Sequence, residues 1–448
     1  MDDQKTLDAV PITSSPKIHY SEFLVDKSPL ATCEACIVVP ARDESVRIEK
    51  CLSALIGQVD PDGKPIDRSK YEVIVLANNC YDETAARART FGARHPRLVL
   101  HVVETKLPPE RSYVGCARKL LMDEACRRFF LLGRPDGIIV STDADSFVDS
   151  GWIAGIMREV EAGADAVGGR IVADRVERLL LDPSVELTYL RQVAYDFLIA
   201  ELEDLIDPDP FDPFPRHGNH IGASLAVTAR LYSQIGGLPD VLEDEDKALY
   251  KAILRSGARF RHSLAVRVTT SARLDGRVEH GFSAGLRHFG SLGQQSRPLL
   301  VESVSASEIR LRCRRALREL SREIQLNRPH TSSQVRRVAW SLGISGSWLG
   351  HEIDRPQTWG QLMERIDLRQ KAEGKWEQLW PPMILEKAVA ALRIRLSDLR
   401  ARPRKKDSAQ VRDSPRQREI NWLMKAELAR QFDNSLSWRR KRPSTEQE

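Results

Sequence analysis

Residues 136–146 read Asp136-Gly137-Ile138-Ile139-Val140-Ser141-Thr142-Asp143-Ala144-Asp145-Ser146. A short apolar, β-branched run ends in two carboxylates separated by one residue. Such a run predicts a buried strand, and Asp143 and Asp145 then emerge at its carboxyl end, where open α/β sheets bind their ligands. Alternation puts both acidic side chains on one side of the chain and turns Ala144 away. Two carboxylates that close suit a divalent cation whose other positions are filled by phosphate oxygens and water. A plain strand-end turn would use the same residues, because Asp and Ser start turns and cap helices.

The surroundings extend the pattern. Cys36-Ile37-Val38-Val39-Pro40 predicts a buried strand, as do Tyr71–Leu76, Leu98–Val103 and Ala166–Arg170. Helical stretches at 47–55, 84–91, 114–128 and 152–162 fall between or beside them. Strands alternating with helices predict an α/β fold, a mostly parallel sheet covered on both faces. Beyond Glu177 the chain is helical to about Leu205. The Pro-broken stretch 207–215 then predicts a loop, flexible over a site. Sheet-like sequence returns at 221–227, a helix is expected over 244–256, and two short strands at 259–261 and 266–270. We expect a loose lead-in (1–34), a catalytic domain (35–300, its halves meeting near 175), a helical extension (301–400) and a basic, disordered tail (401–448).

Composition narrows the class. The chain has 448 residues, 42% apolar and 29% charged, with a formal net charge of +5. That is ordinary for a globular protein and gives little reason to expect a nucleic-acid partner. No run reaches the ~18–20 apolar residues of a membrane helix, and the polar start is no secretory signal. The seven cysteines follow no disulfide spacing. Cys33 and Cys36 read as reduced packing residues, with a redox or zinc pair as the alternative, and a cytoplasmic protein is expected.

Polar motifs recur at three predicted strand ends: Pro40-Ala41-Arg42-Asp43-Glu44, Asn78-Asn79-Cys80-Tyr81-Asp82-Glu83-Thr84 and Asp143-Ala144-Asp145. Downstream come His220-Ile221-Gly222-Ala223-Ser224, Ile235-Gly236-Gly237-Leu238-Pro239 and Glu243-Asp244-Glu245-Asp246. In this order they resemble family 2 glycosyltransferases of the GT-A fold, from about Cys36 to Arg277. The resemblance implies a Rossmann-like sheet and a nucleotide-diphosphate-sugar donor (UDP-, GDP- or dTDP-linked). It also implies a small-molecule, glycan or lipid acceptor. Pro40, Ala41, Arg42, Glu44, Asn78, Asn79, Asp82, Arg118, Asp143 and Ala144 would line the donor, and Gly222, Ala223 and Ser224 the acceptor side. Asn78-Asn79 stands where many relatives carry an Asp, and Ser224 where they carry Asn.

Chemistry then assigns roles. Departing diphosphate needs a cation, manganese or magnesium, held by Asp145 with Asp143. The resemblance adds His262 as a further ligand, which a packed histidine would equally explain. Attack by an acceptor hydroxyl needs a carboxylate base. The resemblance, whose segments set the acid at this distance from a glycine (here Gly257), favours Asp246 of Glu245-Asp246, with Asp244 second; an acidic first helical turn would look the same. Arg273 and Arg277 could pin phosphates. Hexosyl transfer with inversion is the leading expectation and retention its rival. A nucleotidyltransferase is a further alternative, although 40–44 lacks the glycine-rich loop. Residues 334–352 have helix-turn-helix spacing, and the basic stretch 400–406 could touch DNA or an anionic membrane surface.

Overall fold

The computed structural model describes residues 23–276, 281–326 and 331–401. Arg277, the stretch 402–448 with most of the basic run, and residues 1–22 lie outside the described residues. In chain order the first elements are β1 (Ala35–Ala41), α1 (Ile48–Ile56), β2 (Tyr71–Asn78), α2 (Thr84–Arg94) and β3 (Leu100–Thr105). Then follow α3 (Val114–Leu131), β4 (Ile138–Ser141), β5 (Ser146–Val148), α4 (Trp152–Glu161), β6 (Ala166–Ala173), α5 (Arg175–Leu179) and α6 (Pro183–Ile206). The sheet is completed by β7 (Leu225–Thr228), α7 (Ala229–Gln234), α8 (Glu245–Ser256) and β8 (Phe260–Thr270). The rest comprises α9 (Phe282–Gln294), β9 (Leu300–Val301), α10 (Val304–Gln325), α11 (Ser332–Leu342), α12 (Gly346–Ile353), α13 (Trp359–Glu373), α14 (Trp376–Leu379), β10 (Met383–Ile384) and α15 (Leu385–Ala401).

The sheet runs β3-β2-β1-β4-β7-β6-β8-β5. Strands β1 to β4, β6 and β8 point one way, and β7 and β5 run against them. Every residue of β1 and β2 is buried, which is why both read as largely apolar runs, interrupted in β2 only by Glu72 before the closing Asn78. Pro40 is tolerated in a central strand because β4 stops pairing at Val38, so no ladder bond is lost there. Helices α1, α2 and α4 seal one face around Leu52, Phe91 and Trp152. Helices α3, α7 and α8 seal the other around Leu121, Tyr232 and Leu249. The α/β class with helices on both faces is therefore as expected.

Three expectations change. Residues 23–34 are not loose: Val25 and Cys33 join the core, and buried Arg128 donates to the Lys27 carbonyl across 2.7 Å. The two short strands near 259–270 are one, β8, whose ladder with β6 shifts register between Gly169 and Arg170. The 207–215 loop is anchored. Asp212 accepts from Arg216, Arg261 and His262, and Asp207 from Arg314.

The C-terminal helices brace the sheet domain. Leu202 and Ile206 of α6 pack with Leu311 of α10 and Leu392 and Leu396 of α15. Helix α13 lies so close to α8 that a Cβ on Gly360 would meet the Leu254 carbonyl oxygen at 1.9 Å. Helix α8, which carries the candidate base, is thereby held from behind.

Candidate active site

The site forms where β1, β2 and β4 end and the 3-10 turn Gly222–Ser224 enters β7. Its centre is Arg118, on the sheet-facing side of α3 and 3% exposed. The guanidinium donates to Ser141 Oγ (3.1 Å), to Asp143 Oδ1 (2.6 Å) and to Glu245 Oε1. Burial disfavours its charge, and Asp143, Glu245 and Asp246 together more than restore it. Two glycines make room. A Cβ on Gly222 would come within 2.3 Å of the Arg118 guanidinium, and one on Gly115 would press Glu245 at 3.2 Å.

Asp145 belongs to a second cluster. Arg273, just past β8, donates to Asp145 Oδ2 (2.9 Å) and to Glu44 Oε1 (2.6 Å). Burial, then Asp143, then Glu44 push the Asp145 carboxyl up to about 6, against the pull of Arg273. Negative charge is in surplus here, as a cation-holding group requires. Each acid of the pair meets its arginine through one oxygen, so the donor set fits a divalent cation.

Helix α8 separates the acidic candidates. Asp244 precedes the helix in a left-handed conformation (φ 56°) and pairs with Lys247 at 2.8 Å. Glu245 is engaged by Arg118. Asp246 is buried, and its Oδ2 accepts from the Gly222 N–H at 3.0 Å while Oδ1 accepts from the Lys247 N–H at 2.7 Å. Asp246 is thus held against the 222–224 turn and Asp244 is not.

On the donor side, Pro40 and Ala41 end β1, and Arg42 and Asn78 both donate to the Ser112 carbonyl, at 3.2 and 3.3 Å. Among the described residues Asn78 Oδ1 is buried without a hydrogen-bond partner. Asn79, at φ 51°, instead clips the next loop by exchanging two bonds with Leu107. Asp82 accepts from the N–H groups of Ser45 and Thr84, each at 2.9 Å, and from the Thr84 hydroxyl. Asp43, Cys80 and Asp82 bring ligand-type atoms within 4.8 Å of one another, yet their carboxylates are engaged by backbone donors, Asp43 by the Tyr81 N–H. Ala144 is buried against the α1 face.

Two expected site residues lie elsewhere. His262 is not brought to Asp145: it pairs with Gly168 early in β8, whereas Ser146 pairs with Thr270 at the other end. Its Nδ1 lies 2.8 Å from Asp212 Oδ2, and its ring is packed among those of Phe260, Tyr250, His217 and His220. Ser224 turns inward, accepting from the Trp152 indole N–H at 2.9 Å. A Cβ on Gly169 would sit 2.0 Å from its hydroxyl, so the larger Asn of relatives would not fit. Gly222 does border Asp246, and Ala223 follows it in the same turn. Glu245, expected from its place beside Asp246 as a further catalytic carboxylate, is the second anchor of Arg118.

The helix-turn-helix spacing is real as local structure, with α11 and α12 joined through left-handed Gly343. Both helices bury their apolar faces in a bundle with α10 and α13, and α12 carries no Lys or Arg to meet phosphate. Among the described residues no helix is long and apolar enough to cross a membrane.

Residues 36–191 match the family described as Glycosyl transferase family 2. Glycosyltransferase AglE of Haloferax volcanii is 25% identical over 191 residues, which span 40% of this chain and 56% of that protein. The chain thus spans about half the length of this curated relative. Among solved structures, mannosyltransferase PcManGT of Pyrobaculum calidifontis, in complex with GDP-Man and Mn2+, is 16% identical. It covers 84% of this chain and 91% of its own, at a TM-score of 0.37. TarS of S. aureus in complex with UDP is 12% identical, with coverages of 77% and 91% and the same score. At these scores the three-dimensional likeness is loose. The sequence match itself covers β1 to the start of α6, the segment that carries Glu44, Asn78, Arg118, Asp143 and Asp145.

Proposed function

We propose that this protein transfers a sugar from a nucleotide-diphosphate-sugar to an acceptor hydroxyl, with inversion and with a divalent cation. The observation that carries the reading is Arg118, which ties Asp143 at the end of β4 to Glu245, next to Asp246. Donor-side acids and the candidate base are thereby fixed relative to each other across one buried guanidinium.

In this reading Asp145 and Asp143 hold manganese or magnesium, with Glu44 and Arg273 beside them. A cation held there would offset charge on the departing diphosphate. Asp246, oriented by the Gly222 N–H, takes the proton of the acceptor hydroxyl. The hydroxyl oxygen bonds to the anomeric carbon as the bond from that carbon to the diphosphate oxygen breaks. Asn78 Oδ1 is the acceptor available to a ring N–H of the nucleotide base. Uracil, thymine and guanine all offer one. The described cysteines are all free, which accords with a cytoplasmic setting.

Release of nucleoside diphosphate from UDP-, GDP- and dTDP-sugars in the presence of Mn2+ tests the assignment. Asp246→Asn should abolish release while keeping nucleotide binding, and Asp145→Ala should abolish both. Release by Asp246→Asn at the parent rate would overturn the base.

A further inference from the structure

Beside the 222–224 turn lies a cavity of about 230 Å3 between β6, α6, α9 and the segment 217–221. Its walls are aromatic and aliphatic: Tyr189, Phe197, Phe282, Leu286, Phe289 and Ile221. Several polar groups in those walls are answered from within the protein. Tyr189 Oη accepts from the Ala173 N–H (3.1 Å), and Asn219 Oδ1 from the Ile171 N–H (3.1 Å). His217 Nδ1 accepts from the Asn219 N–H (2.9 Å), while its Nε2 lies 3.2 Å from the Ser263 carbonyl. Arg170 and Asp196 are the charged margins, and Asp196 accepts from Gln192 at 2.8 Å. Such a surface offers a ligand apolar contact and few hydrogen bonds.

The cavity wall and the contact to the candidate base are one residue apart along the chain. Ile221 lines the cavity, and the next residue, Gly222, donates its N–H to Asp246. We infer that the cavity holds the apolar portion of the acceptor, so that the acceptor is an amphipathic molecule whose hydroxyl reaches Asp246 while an alkyl or aromatic arm lies among these rings. This rests on the sugar-transfer reading above. It places specificity in α6 and α9, outside the matched family segment for α9 and most of α6.

Gly285 makes the inference testable. It lines the cavity, and a Cβ there would meet nothing within 4 Å, so a larger side chain fills the space without clashing at its root. Octyl β-D-glucopyranoside, below its micelle-forming concentration, is titrated calorimetrically into the full chain, with methyl β-D-glucopyranoside as the headgroup control. Saturable one-to-one binding of the octyl compound alone is expected, weakened at least tenfold by Gly285→Leu. A butyl-to-decyl series reads the cavity without mutation: affinity should climb with chain length and level off once the space is full. Equal binding of octyl and methyl glucosides, no dependence on length, or octyl binding unchanged in Gly285→Leu would overturn the inference. UDP and GDP are titrated with Mn2+ into the same samples. Their failure to bind would count against the transferase reading, whereas the alkyl arm reports on the cavity itself.

Discussion

Arg118 donates to Asp143 across 2.6 Å from a guanidinium that is almost wholly buried. The same group meets Glu245, so two acids from distant parts of the chain share one cation. Removing one partner of a buried ion pair leaves uncompensated charge and costs about 3–5 kcal/mol. Asp143 is partly exposed, which places Arg118→Met at about 3 kcal/mol. Urea denaturation should show a lower midpoint with an unchanged slope. A midpoint equal to the parent's would mean that the pairing does not hold the site together.

Gly222 is required by that guanidinium rather than by its own backbone angles. An added Cβ would stand 2.3 Å from the Arg118 guanidinium, so Gly222→Ala must displace either the arginine or the turn that orients Asp246. Overpacking of this kind costs about 1–3 kcal/mol. Activity should fall further than stability, because the proposed base moves. Retention of full turnover by Gly222→Ala would argue that Asp246 is positioned by something else.

The separation of what is legible from what is not follows from contact range. Strands β1, β2 and β4 are buried on both faces and announce themselves as apolar runs, and the motifs at their ends follow at once. The distance from Asp246 to Gly257 is a property of one helix, α8, and so is also readable. His262 is the opposite case. Its environment is made by Asp212, which reaches it from the anchored 207–215 loop, and nothing next to His262 in the chain signals that. Ser224 likewise faces inward because of Trp152 and Gly169, on α4 and β6. The packing of 23–34 depends on Arg128 and Glu72, on other elements again.

Ser224 therefore has a different expected phenotype from a substrate-binding residue. Ser224→Ala leaves the Trp152 indole N–H buried without its acceptor, a loss of about 1–3 kcal/mol. Thermal unfolding should shift downward while KM for any acceptor stays at the parent value. A raised KM with unchanged stability would return Ser224 to the acceptor side.

Asp82 carries a pH dependence whose direction can be derived. Burial opposes its ionisation, but the Thr84 hydroxyl and the backbone of Ser45 and Thr84 outweigh it and hold the carboxyl down to about 2. A carboxylate lowered on folding contributes stability that is present above its unfolded value of 3.8 and is lost as pH falls towards about 2. Because the group is exposed, the contribution is modest, about 1 kcal/mol. Asp82→Asn should lower stability at pH 7 by that amount and flatten the decline between those two pH values. An unchanged acid limb in the variant would show that Asp82 is not the group responsible.

The central claim is a nucleotide-diphosphate site built on Asp143 and Asp145. Calorimetric titration of UDP, GDP and dTDP, with and without Mn2+, into the parent and Asp145→Ala proteins tests it most directly. The account predicts that one nucleotide binds tightly with Mn2+, weakly without it, and not in the variant. Absence of binding by all three under both conditions, or equal binding by parent and variant, would contradict it.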